Sequence, residues 1–164
     1  MRGDAPATTG RQREGHGLSC LVAALLCTHA CITDLRQRVI RNAAVGSAGL
    51  AAVALHTAAA GRVGAWQTLW GAVCGLVWLP AMWWAGLGAG DVKLAVALGA
   101  LLGPSAAVEA PALGMMVCAL GLGPWILWMR FRRRPWRGLA LPLAPWITGG
   151  LVLFQLGGSA GRRL

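Results

Sequence analysis

Apolar positions fall in six stretches, residues 17–33, 43–61, 66–87, 91–103, 106–129 and 139–157, separated by short polar or charged segments. Most approach or exceed the roughly 20 residues that an α-helix needs to cross a hydrocarbon core. The pattern predicts an all-α, polytopic membrane protein with about six transmembrane helices, forming one domain over residues 17–157. A polar tail at 1–16, expected to be disordered, precedes it, and a short tail at 158–164 follows. The first stretch also resembles a signal peptide, but it runs into a charged motif without a small-x-small cleavage site. The fourth stretch is short: Asp91 to Gly103 is 13 residues, which at about 1.5 Å per residue covers about 20 Å of a ~30 Å core. Asp91 is therefore expected in or beside the low-dielectric layer, next to a backbone loosened by Gly88-Ala89-Gly90.

Composition agrees with a membrane protein. Of 164 residues, 57% are hydrophobic and 12% charged, which excludes both disorder and an ordinary soluble domain. The net charge of +10 would suggest nucleic acid in a soluble chain, but here the cations lie between the apolar stretches and report topology. With six crossings, one face collects Arg36, Arg38, Arg41, Lys93 and the basic block Arg130–Arg137, nine cations against six on the other. By the positive-inside rule that face is cytoplasmic. The basic block is expected to orient its helix and touch anionic headgroups, with no nucleic-acid role. The five cysteines, Cys20, Cys27, Cys31, Cys74 and Cys118, lack a CxxC pair and read as small buried hydrophobes; no metal or cofactor is expected. His29 and His56 read as packed histidines, and the tryptophans as packing or interface anchors.

The acids are more informative. There are five, of which Asp4 and Glu14 belong to the polar tail and Glu109 to the opposite interface. Asp34 and Asp91, 57 residues apart, approach the same face because an even number of crossings separates them. Two carboxylates in one partly desolvated site cannot both ionise easily, so one holds a proton while its partner can activate a water. The bland alternative pairs Asp34 with Arg36 or Arg38, and Asp91 with Lys93, as interfacial ion pairs.

Gly88-Ala89-Gly90-Asp91 fits the GxGD signature of intramembrane aspartic proteases, and it continues through Val92-Lys93-Leu94, Ala97-Leu98-Gly99 and Gly103-Pro104. Together with Asp34-Leu35-Arg36 and Ile40-Arg41-Asn42, the chain resembles the type IV prepilin leader peptidases over about residues 17–130. The resemblance implies that Asp34 and Asp91 are a catalytic pair and that Gly88 and Gly90 shape the backbone around Asp91. It also implies that Lys93 contacts substrate or biases the pair electrostatically. The implied substrates are prepilins or pseudopilins, cleaved at the cytoplasmic face of a bacterial inner membrane. Arg41 stands where that family usually has Pro, and the nine-residue segment Asp34–Asn42 leaves no room for the insert with paired CxxC motifs found in larger members. The short, peptidase-only branch is the better match. The competing class is an inactive or non-proteolytic membrane module, such as a pilus-assembly partner or small ion-coupled carrier.

Overall fold

The computed structural model describes residues 5–37, 40–84, 88–132 and 143–160, and all its regular elements there are helical. They are α1 (Ala5–Gln37), α2 (Asn42–Gly75), a 3₁₀ turn (Leu76–Trp78), α3 (Leu79–Trp84), α4 (Ala89–Leu102), α5 (Pro104–Phe131) and α6 (Ala144–Ala160). Three segments are long and apolar enough to cross a membrane: His16–Gln37, Asn42–Trp84 and Pro104–Pro124. The polar segment expected as a tail differs. Helix α1 already begins at Ala5, with Pro6 in its first turn, where a missing N–H costs no hydrogen bond. Most of the basic block expected at 130–137, together with residues 1–4 and 161–164 of the tails, lies outside the described residues.

The segment Asn42–Trp84 is not one straight rod. Gly61, at φ 59° and ψ −135°, occupies a region that residues with a Cβ avoid. The imidazole of His56 reaches the Thr68 hydroxyl at 2.7 Å, although 12 residues of continuous helix would separate them by about 18 Å. The chain therefore reverses at Gly61 into two arms, 42–60 and 62–84, which pass each other closely enough that Gly64 lies against the His56 carbonyl. His56 ties this reversal to α1 through Ser19, at 3.3 Å. Its hydrogen bonds run to side chains of two other segments, a common way of fastening apolar helices to one another.

Packing inverts the soluble pattern. The interior is rich in small residues, among them Ala23, Ala30, Ala52, Ala97, Ala106, Ala107 and Ala110, around Leu94, Leu98 and Ile147. Large side chains such as Leu18, Leu25, Leu50, Trp66, Trp83 and Trp84 point outward. Between helices already surrounded by lipid there is little to gain from burying leucine, so close backbone approach through small residues holds the bundle together. At the crossing of the second arm with α4, a Cβ on Gly71 would meet the Gly99 carbonyl oxygen, and one on Gly99 the Gly71 carbonyl oxygen. Between α5 and α6, a Cβ on Gly114 would meet the Trp146 carbonyl oxygen and one on Gly150 the Ala110 carbonyl oxygen. Gly103, at φ 97°, ends α4, and its N–H donates to Gly99 O at 2.8 Å. Pro104 then opens α5, which accounts for Gly-Pro at this sharp turn.

Of the five thiols expected to be buried, Cys27 and Cys118 are, while Cys20, Cys31 and Cys74 are half-buried; Cys20 and Cys31 face α6, bonding Gln155 Nε2 at 3.6 Å and the Thr148 hydroxyl at 3.1 Å. His29 is exposed on α1 rather than packed, because its side of the helix borders an open groove.

Candidate functional site

Four chain segments converge at one end of the bundle. Helix α1 ends there with Asp34 in its last turns, and the segment from Ile40 to Asn42 leads from it into α2. Helices α4 and α6 both start there, at Ala89 and Ala144.

Asp91 occupies the first turn of α4 and is only 8% exposed. Its N–H donates to Gly88 O at 3.0 Å, as the first turn of the helix closes on the residue before it. The position of the carboxylate explains the first glycine of the motif: a Cβ at residue 88 would stand 2.8 Å from Asp91 Oδ2. The second glycine serves a different neighbour. A Cβ at Gly90 would crowd the buried Ile40 side chain at 3.1–3.2 Å, so the missing side chain lets the Ile40–Asn42 segment lie on α4.

That docking is reinforced by Lys93, whose Nζ donates to Asn42 Oδ1 at 2.8 Å. The ammonium is thus committed to an amide, and the ion pair considered between Lys93 and Asp91 is absent. Asp34 is half-buried, and its Oδ2 accepts the Ala144 backbone N–H at 3.1 Å. Among the described residues it forms no ion pair, Arg36 included; Arg38 lies outside them. The two carboxylates are close enough for the charge of Asp34 to act on Asp91.

Sequence reasoning did not single out Ile40, Asn42 or Ala144 as parts of this site. The first two were quoted only as motif letters, and the pairing of Asn42 with Lys93 has no local signature across 51 residues. Ala144 contributes a backbone N–H, which no residue type encodes.

Beside the site, a groove of about 660 Å³ runs between α1 and the first arm of α2. Val22, Leu25, Leu26 and His29 form one wall, and Ala44, Ser47, Ala48 and Ala51 the other, with Arg41 at the end nearest the converging segments. Arg41 has φ −69° and ψ 128°, close to the backbone angle that a proline ring enforces.

Comparison with curated proteins and with solved structures gave no match. The family profile described as "Type IV leader peptidase family" matches residues 21–133, which takes in Asp34, Asp91 and both glycines but ends before α6. Since that match covers well over half of the sequence, this chain belongs to the type IV leader peptidase family.

Proposed function

We propose that the protein is a membrane-embedded aspartic endopeptidase that removes the leader peptide from type IV prepilin-like precursors. The observation that carries this reading is that Asp34, at the end of α1, and Asp91, at the start of α4, lie at the same end of the bundle, and neither forms an ion pair among the described residues. Such a pair shares a proton. The ionised member takes a proton from water as its oxygen attacks the scissile carbonyl, and the protonated member donates to the carbonyl oxygen. Collapse of the tetrahedral intermediate returns a proton to the leaving amine. The titration belongs to the pair, so neither residue is assigned one fixed role.

Substrate geometry follows from the same end of the molecule. A precursor presents a basic leader followed by an apolar helix, and the groove between α1 and the first arm is open to accept that helix from the side. The small residues of one wall suit close helix approach. The leader then projects into water at the face richer in cations, which the positive-inside rule makes cytoplasmic in a bacterial inner membrane. The non-proteolytic alternative drew on Arg41 replacing a proline. With φ at −69°, Arg41 keeps the backbone path without the ring, so the departure no longer favours that alternative.

The experiment is cleavage of a co-expressed prepilin in membranes, comparing wild type with Asp34→Asn and Asp91→Asn. The reading expects a shortened product with the wild type alone. Intact precursor with folded, inserted wild-type protein across several prepilins would replace it with the inactive-module reading.

A further inference from the structure

The family match stops at residue 133, yet one contact to the candidate pair comes from beyond it. Helix α6 opens at Ala144, and the N–H groups of Trp146 and Ile147 are taken by Leu143 O at 3.0 Å each. Pro145 has no N–H to give. Ala144 therefore supplies the unclaimed donor of this first turn, and that donor is spent on Asp34 Oδ2. Ala144 is fully buried, and Gly150 and Gly114 fix α6 on α5 with no space for a side chain between them, so the donor sits on a rigid support. The other Asp34 oxygen, Oδ1, has no partner among the described residues.

We infer that the N-terminus of α6 is a working part of the site, with the Ala144 N–H as a positioning donor. It holds Oδ2 and thereby aims Oδ1 towards the water and substrate. The inference rests on the aspartic-peptidase reading and deepens it. A carboxylate near the end of a helix has two free torsions, and a fixed donor on one oxygen removes the freedom of the other. Because the group is a backbone N–H, its loss should affect the turnover step more than substrate binding.

A substitution can remove this donor with little change of backbone, since Pro is well accepted at the first position of a helix. The test uses full-length enzyme purified in detergent and a synthetic precursor comprising a basic leader and apolar helix. In Ala144→Pro, kcat is expected to fall roughly ten- to hundredfold with KM within about twofold of wild type, as for a misaimed catalytic group. Ala144→Gly keeps the N–H and is the conservative rescue, expected to recover most of the lost kcat. Equal kcat in wild type and Ala144→Pro overturns the inference while leaving the peptidase reading in place. A parallel loss of kcat in Ala144→Gly also overturns it, because side-chain packing would then be responsible. No cleavage by the wild type removes the peptidase reading and this inference together.

If Ala144→Pro fails to fold, amide NMR on ¹⁵N-alanine-labelled protein replaces it. The Ala144 signal, identified by its absence from Ala144→Gly, is expected to move upfield in Asp34→Asn by more than any other alanine amide. An unmoved signal overturns the inference.

Discussion

Individual residues at the converging end are constrained for reasons that differ from one position to the next. Gly88 is small because Asp91 Oδ2 stands 2.8 Å from where its Cβ would be, and the atom that must yield is the end of a side chain rather than backbone. Gly88→Ala is therefore predicted to leave the thermal unfolding midpoint nearly unchanged while reducing kcat about tenfold or more, since it displaces a reacting group. Steady-state cleavage and a detergent melting curve measure both sides of that expectation. Arg41 makes the opposite prediction. Its φ of −69° fits a proline, so Arg41→Pro should retain cleavage and gain about 0.4–1 kcal/mol of stability by restricting the unfolded chain. A loss of several kcal/mol in chemical unfolding would show that the Arg41 N–H or side chain is needed. That Asp34, Asp91 and the two glycines stand at one end of the bundle was legible in the sequence, because they lie at the edges of apolar stretches. The role of Lys93 was not. Its partner, Asn42, lies in another segment, and only the fold shows the ammonium holding a loop.

Among the helices, the boundaries that charge and glycine mark are the ones that can be read without coordinates. Arg62 and Gly61 separated the second and third apolar stretches, and the chain does reverse at Gly61. What composition could not give is which helices touch. Gly71 and Gly99 look like any other glycines in a glycine-rich chain, yet each stands against the other's carbonyl. Gly71→Leu should force α4 away from the second arm, cost roughly 1–3 kcal/mol in overpacking and lower the unfolding midpoint in detergent. A midpoint equal to wild type would contradict the close crossing. The groove between α1 and the first arm makes a kinetic prediction. Ser47 is exposed on its wall, and Ser47→Trp would fill part of its volume without entering the core. KM for a helical precursor should rise several-fold with kcat nearly unchanged; a change in kcat alone would place the substrate elsewhere.

For the molecule as a whole, an all-helical membrane protein was readable from length and hydropathy, because both are sums over many residues. The start of α1 was not, since the polar residues from Ala5 onward carry no apolar signal and continue a helix begun by its neighbours. The orientation proposed from the cations has its own test. In a cysteine-free background, Arg62→Cys should react with a membrane-impermeant maleimide added to intact cells, whereas Gln37→Cys should react only after permeabilisation. Labelling with the opposite preference would invert the topology and move the site to the other face. The central claim, that two carboxylates act as one catalytic unit, is tested most directly by kinetics of single and double substitutions on a purified precursor. Groups that act as a unit are strongly non-additive. Asp34→Asn and Asp91→Asn are each predicted to reduce kcat by about 10⁴ or more, with the double substitution losing no more than the worse single one. Separate, multiplying losses, or cleavage surviving in either single variant, would contradict the shared-carboxylate mechanism.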